Sequence, residues 1–262
     1  MMKNSMYKFL ISTLITVLLC SATIAQEVEK TFVSLSPALT EIMYALGAEN
    51  MLLGVSNSCT YPKEAQKKEK IGDSFFINEE KIIQIKPNYI LALDSSEFAL
   101  SKFKKLDITP ICLKYKSIED IHKNILKIGE ITNKKINAER LVEKSSKKIA
   151  SIQTRNPKRI LYLVQTEPMI TIGQKSFISD VIKKSGHISI TADINSYYPV
   201  VTEEFLIQEM PDVIVVSNFT DNSRIKKLFP NTKIIVMPEE LNDIINRPGP
   251  RIYKSVEFFA EL

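Results

Sequence analysis

Past residue 30 the chain is expected to fold as an α/β protein of two similar lobes with parallel sheets, joined by a long rigid helix. Three observations predict this. Short β-rich runs alternate with helical runs, the order that covers a parallel sheet with crossover helices. Two segments recur, in the same order, further along the chain. Between the copies, Ser117–Arg155 holds no proline and a single glycine, Gly129, where a flexible linker would be rich in Gly, Ser or Pro.

The elements follow in order. Thr31–Leu35 reads as a strand. Ser36 is placed to cap the next helix, Pro37 suits its first turn and Gly47 its end. Met51–Val55 reads as a second strand. Glu79–Ile85 is a short helix broken by Pro87, and Tyr89–Leu93 is a buried strand. Ile111–Leu113 is another strand. After Pro157 the alternation resumes with strands at Arg159–Val164, Val213–Val216 and Ile234–Val236. In Ser117–Arg155, Ile118, Ile121, Ile125 and Ile128 recur at helical spacing, as Ile136, Leu141 and Ile149 do more loosely. That spacing predicts two helices, the second at about Ala138–Arg155 and long enough to span both lobes.

The repeat has two parts. Leu39-Thr40-Glu41-Ile42-Met43 is echoed by Ile178-Ser179-Asp180-Val181-Ile182, and glycines follow at Gly47 and Gly186. Glu80-Lys81-Ile82-Ile83-Gln84 is echoed by Glu204-Phe205-Leu206-Ile207-Gln208, with Pro87 and Pro211 at the same offset and a strand after each. The offsets are 139 and 124, so one lobe carries about 15 extra residues. The boundaries are then 26–134 for the first lobe, 135–156 for the bridging helix and 157–262 for the second lobe.

The N-terminus has the layout of a secretory signal over residues 1–25. Lys3 and Lys8 give a positive start, Phe9–Cys20 is the apolar run, and Ser21–Ala25 supplies small residues. Cleavage is expected after Ala25, giving an exported, periplasmic protein. Cys20 raises lipid attachment as an alternative, which Leu19 disfavours because a small residue is expected there. Losing Lys3 and Lys8 lowers the net charge from +5 to +3, too mild and too dispersed for a nucleic-acid partner. Cys59 and Cys112 remain, and free thiols are the expectation.

Catalytic signals are thin. His122 and His187 are the two histidines, and both are expected on solvated faces. No Cys/His spacing suits zinc, and no nucleophile elbow, Walker loop or H-E-x-x-H motif is present. No catalytic residue and no metal site is assigned. Three loops stand out instead: Ser56-Asn57-Ser58-Cys59-Thr60-Tyr61-Pro62, Asn195-Ser196-Tyr197-Tyr198-Pro199 and Asn246-Arg247-Pro248-Gly249-Pro250-Arg251. Such loops gather outside the carboxyl ends of parallel strands, where ligands bind. Tyrosine covers an apolar ligand face and still hydrogen-bonds at its tip.

Together these segments resemble the cobalamin-type periplasmic binding proteins, within a family that also carries haem and ferric siderophores. The resemblance rests on Val33-Ser34-Leu35-Ser36-Pro37-Ala38-Leu39-Thr40-Glu41, Gly54-Val55-Ser56 leading to Tyr61-Pro62, Glu80 through Pro87, Tyr198-Pro199 leading to Glu204, Pro211-Asp212-Val213-Ile214, and Arg247-Pro248-Gly249-Pro250-Arg251. It implies two Rossmann-like lobes bridged by a long backbone helix. It also implies a solute-binding protein of an ABC importer that binds a corrinoid, cobalamin, between the lobes, acts as a monomer without a cofactor and performs no catalysis. The permease is the implied partner, met by one glutamate on each lobe, here Glu80 and Glu204. Cleft positions carry over to Ser58, Ser74 and Leu93, where an aromatic is expected. Tyr198 keeps its aromatic, with Phe75, Phe76 and Tyr197 beside matching positions, and Asp243 and Arg247 match polar positions. Tyr61 joins them from its loop. Cobalamin binders use several tryptophans, and this chain has none. Haem or a ferric siderophore is the alternative cargo, with Tyr61, Tyr197 or Tyr198 as an axial ligand for haem. An exported hydrolase on the same scaffold is the alternative from another class.

Overall fold

The computed structural model describes residues 30–73, 76–217 and 221–262; residues 1–25, Cys20 among them, and Ser74 and Phe75 lie outside this set. The first lobe holds strands β1 (Phe32–Ser34), β2 (Leu52–Val55), β3 (Glu69–Lys70), β4 (Tyr89–Leu93) and β5 (Thr109–Leu113). They form one parallel sheet in the order β3-β2-β1-β4-β5. Helices α1 (Pro37–Ala45), α2 (Glu79–Ile85), α3 (Glu97–Leu100) and α4 (Ile118–Ile131) connect and cover it. Helix α5 (Lys135–Ala150) leads to the second lobe, built of β6 (Arg159–Thr166), β7 (Met169–Thr171), α6 (Phe177–Lys184), β8 (Ile188–Ser189), α7 (Glu203–Glu209), β9 (Val213–Val216), α8 (Ser223–Leu228), β10 (Lys233–Val236), α9 (Glu239–Asn246) and α10 (Ile252–Ala260). Its sheet runs β10-β9-β6-β7, with β8 beside the start of β6.

The second sheet departs from an all-parallel expectation at β7, which pairs antiparallel to β6. Only Glu167 and Pro168 join the two strands, and a connection that short can only turn the chain back on itself. The expected cap at Ser36 also differs. Its backbone is extended and Pro37 follows it as the first helical residue, but its side chain makes no cap bond. The bridging helix stops at Ala150, short of the expected Arg155. Pro157 disfavours helix at the residue before it, and Thr154 turns its hydroxyl to the Ser185 carbonyl.

The repeat is visible atom by atom. Gly47 and Gly186 both follow their helices at positive φ, 69° and 85°, a left-handed conformation in which a Cβ would be strained. Helices α2 and α7 are each seven residues long, capped by Asn78 and Thr202 through the backbone amide three residues on. Each ends on a left-handed residue, Lys86 or Met210, just before its proline. The next residues also match: Asn88 accepts a bond from the Thr31 amide and Asp212 from the Arg159 amide, each tying β4 or β9 to the start of its lobe's first strand.

Alternation along the strands sorts the core. Phe32, Leu91, Ile160, Tyr162, Val213 and Val215 face one apolar cluster that runs through both lobes. Their neighbours Val33, Ile90 and Ala92 face a second cluster private to the first lobe. Leu161, Leu163, Ile214 and Val216 face a third, private to the second lobe. This is the period-2 pleat at work on buried sheets. The shared cluster takes in Ala138 of α5, with Leu141, Val142 and Ile149 packed against it, so the bridging helix is part of the core. It lies against α4 on one side and α10 on the other. Among the described residues, no helix is long and apolar enough to cross a membrane.

Candidate functional site

The loops that leave the carboxyl ends of β2 and β5 meet segments of the opposite lobe at two places. On one flank, the Thr60 hydroxyl donates to Asp243 at 3.0 Å. Arg247 donates to Thr60 Oγ1 at 2.8 Å and to the Ser58 carbonyl at 3.3 Å, and it pairs with Asp243 at 2.7 Å. On the other flank, Tyr115 and Tyr197 face each other with ring centroids 5.8 Å apart. Lys116 lies 5.9 Å over the Tyr197 ring.

The tyrosines form one neighbourhood. Burial, with the Asp94 carboxylate adding to it, pushes the Tyr115 phenol up from its ordinary value. Tyr197 is pushed up by burial, then by Asp94 and Tyr115. Tyr198 is 43% exposed as a residue, yet burial of its hydroxyl end, which reaches Ser176, moves the phenol up to about 12. All three are therefore neutral hydrogen-bonding groups at physiological pH, on rings broad enough to cover a flat apolar ligand.

The sequence-predicted residues that are described divide among four places. Tyr197 and Tyr198 belong to the tyrosine flank. Asp243, Arg247 and the Ser58 backbone belong to the ionic flank. Leu93 ends β4, paired in register with Leu113, and packs half-buried against the shared core. Tyr61 stacks on Arg251, whose Cζ lies 3.9 Å from its ring centroid, and lines a separate cavity of about 400 Å³ beside α5 with Tyr44, Tyr253 and Lys144. Ser74 and Phe75 are outside the described residues. Asp94 and Tyr115 were missed, although a signal existed. They follow the ends of β4 and β5 within two residues, the position that a parallel sheet assigns to ligand contacts.

Glu80 and Glu204 occupy the same place in their helices, one residue after a partnered carboxylate. Glu79 pairs with Lys102 and Glu203 with Arg224. Glu80 and Glu204 are exposed, and among the described residues neither makes an ion pair; Glu204 bonds only locally, to its own amide and to Thr202.

The histidines are not on solvated faces. His187 is buried, follows the left-handed Gly186 and accepts the Lys158 amide on Nδ1 at 3.0 Å. His122 is half-buried, with Nε2 3.0 Å from Ser145 Oγ. Cys59 and Cys112 are separate thiols. Among the described residues, no group of three or more His, Cys, Asp or Glu is placed to hold a metal ion.

The sequence pattern of the family described as "Periplasmic binding protein" matches residues 32–233. An uncharacterized ABC transporter substrate-binding lipoprotein of Bacillus subtilis, YvrC, is 30% identical over 257 residues, which covers 91% of this chain and 81% of that protein. The crystal structure of the periplasmic vitamin B12 binding protein BtuF of Vibrio cholerae superposes with a TM-score of 0.73 at 27% identity, covering 88% of this chain and 95% of that one. The periplasmic heme-binding protein RhuT of Roseiflexus sp. RS-1 shares the fold, with a TM-score of 0.76 at 21% identity, covering 89% and 98% of the two chains.

Proposed function

The chain belongs to the periplasmic binding protein family of ABC-transporter substrate-binding proteins, and on that footing we propose that it delivers a corrinoid, cobalamin, to its importer. The observation that carries this reading is the pair of tyrosines beyond the carboxyl end of β5 and in the 195–199 loop, Tyr115 and Tyr197, which meet from opposite lobes. Ring faces suit the broad apolar flanks of a macrocycle, and phenol tips suit its amide-bearing periphery. The likeness to a vitamin B12 binding protein supports the same cargo. The protein acts by binding, without turnover and without a cofactor of its own. Residues 1–25 direct export to the periplasm and are cleaved after Ala25. Lipid attachment at Cys20 is the competing outcome, and the mass of the N-terminal peptide from envelope fractions separates the two.

Haem is the second reading, carried by the tyrosines and by the shared fold with a haem-binding protein. Ligation of haem iron by tyrosine requires a phenol oxygen that can turn to the metal, and the hydroxyl end of Tyr198 is buried against Ser176. An anionic siderophore needs several free cations at the site; Arg247 and Arg251 are both committed to carboxylates, which leaves Lys116 beside Tyr197.

Delivery requires docking. Glu80 and Glu204, exposed at equivalent positions of α2 and α7, are the contacts by which each lobe would meet cationic side chains of the permease. Exposed charges of this kind give orientation and association rate more than affinity.

Isothermal titration of the exported protein with cyanocobalamin, cobinamide and haem tests the cargo. One-to-one binding of a corrinoid is expected. Failure of both corrinoids at tens of micromolar, about −6 kcal/mol, overturns the corrinoid reading, and a Soret shift with haem replaces it.

A further inference from the structure

We propose that Glu41 is a latch between the lobes, a buried carboxylate on α1 that fixes how far the cleft stands open by holding Arg247 and Arg251 of the second lobe. Its side chain is 2% exposed. Arg251 grips it with a two-pronged fork, Nε to Oε2 and Nη2 to Oε1, each at 2.8 Å. Arg247 adds a third bond from Nη1 to Oε1 at 3.1 Å. Both arginines lie more than 200 positions away in sequence and come from the other lobe, one at the end of α9 and one just before α10.

The cluster is closed and balanced. Two carboxylates, Glu41 and Asp243, meet two guanidinium groups. Arg247 reaches past Glu41 to Thr60 and to the Ser58 carbonyl, so the same side chain that joins the lobes also positions the β2 loop at the cleft. Tyr61 covers the outer face of Arg251. A buried ion cluster of this kind adds little net stability over an apolar contact, but it tolerates one geometry only, because separating its charges away from water is costly. Forked bonds from two side chains to one carboxylate fix both the distance and the rotation of one lobe against the other.

The repeat supplies a reciprocal tie. Glu41 corresponds in sequence to Asp180 on α6. Asp180 accepts the backbone amide of Ile118, at the start of α4, at 2.9 Å. The equivalent acid of each lobe therefore reaches into the other lobe's half of the chain. One carboxylate takes two arginines and the other a helix-start amide.

The consequence for cargo rests on the reading that the cleft binds it; the latch itself is measured without cargo. Fluorophores on unnatural amino acids at the exposed positions Lys105 and Lys227, one per lobe, report the inter-lobe distance in single molecules. Glu41→Gln, which keeps the shape and removes the charge, is expected to broaden the distance distribution of the cargo-free protein. Arg251→Lys keeps the charge and loses the fork, and should broaden it less. Thr60→Val keeps the ion pairs and should leave the distribution narrow while releasing the β2 loop. The combination of Glu41→Gln with Arg251→Lys should broaden it no further than Glu41→Gln alone. If cyanocobalamin binds, its dissociation should be about tenfold faster in Glu41→Gln. The proposal is overturned if Glu41→Gln or Arg251→Lys lowers the denaturation midpoint while the distance distribution keeps its mean and width, the result expected of a merely structural ion pair. Should Glu41→Gln not fold, the Arg251→Lys distribution decides. An absence of cyanocobalamin binding counts against the cargo reading alone and leaves the distance measurement standing.

Discussion

Gly129 is the single glycine in the stretch that joins the lobes, and its replacement by alanine tests how the bridging helix is held. On an exposed helix face Gly129→Ala would stabilise the protein by about 1 kcal/mol, through helix propensity. The structure reverses that sign. A Cβ on Gly129 would lie 2.4 Å from the Cβ of Ala138 and 3.3 Å from the Lys134 carbonyl oxygen. Both carbons are fixed to helical backbone, so no rotamer relieves the contact. Carbon atoms rest at roughly 3.5–4.0 Å, so α4 and α5 would have to part by more than about 1 Å. That loosens Ile125, Ile128 and Ala138, all fully buried in the shared core. Overpacking of this kind costs about 1–3 kcal/mol. Separation along two long helices belongs in the upper part of that range, leaving a net loss of about 1–2 kcal/mol after the propensity gain. For a protein of this size each kcal/mol is about 2–4 °C in Tm. Urea denaturation followed by circular dichroism should show a lower midpoint at an unchanged slope. Adding Ala138→Gly should restore part of the loss beyond additivity, because the two positions share one contact. A midpoint at or above that of the parent would refute the close helix crossing, and with it the rigid attachment of α5.

Three further outcomes follow from the site. Glu80→Ala with Glu204→Ala should leave cargo affinity and the denaturation midpoint unchanged, yet abolish stimulation of the cognate permease's ATPase in vesicles; normal stimulation would remove the docking role. Tyr115→Ala should weaken cyanocobalamin binding about tenfold, since an aromatic contact is worth about 0.5–1.5 kcal/mol beyond its buried area, and titration calorimetry measures it; unchanged affinity would take Tyr115 out of the site. Burial lowers the pKa of both His122 and His187 in the fold, so below about pH 6.5 the unfolded chain binds more protons than the native one. Their contribution to stability is complete above that pH and declines as the pH falls toward the lowered native values. Urea midpoints at pH 7.5 and 5.5 should therefore differ in that direction, and by less in a His187→Gln variant.

Much of the scaffold was legible because its punctuation is local. Pro87 and Pro211, each after a short apolar helix, gave α2, β4 and β9 their bounds without error. The strands that escaped notice, β3, β7 and β8, are two or three residues long, too short for any alternation to register. His187 looked exposed because a Gly-His pair suggests a surface turn, and nothing nearby in sequence announces the Lys158 amide that buries it. The site divides the same way. Tyr197, Tyr198 and Arg247 were visible as unusual loops. Glu41 was visible only as one residue of a helix-start motif, since the arginines that define its role arrive from the far end of the chain. Arg247 itself looked like a hand extended to a ligand, and in the structure that hand is already holding the first lobe.

A hinge between two lobes needs a seam with little apolar packing, and this fold lacks one. The shared cluster draws Phe32 and Leu91 from the first sheet, Ile160 and Val215 from the second, and Ala138 from the bridging helix. Spreading the lobes would expose that surface at roughly 2.5 kcal/mol per 100 Å², and it would strain the ionic cluster around Glu41 from the first displacement. With the latch closed over that packing, thermal motion does not open the joint far. Cargo entry therefore falls to the exposed loops carrying Asn57, Ser58 and Tyr198, while the lobes keep their spacing. On the docking reading, forced release has one mechanical route. Glu80 and Glu204 sit on different lobes, so a permease that grips both and changes the distance between its own contacts loads the shared core and the latch directly. The rigidity that limits closure around cargo is then what transmits that load to the cleft.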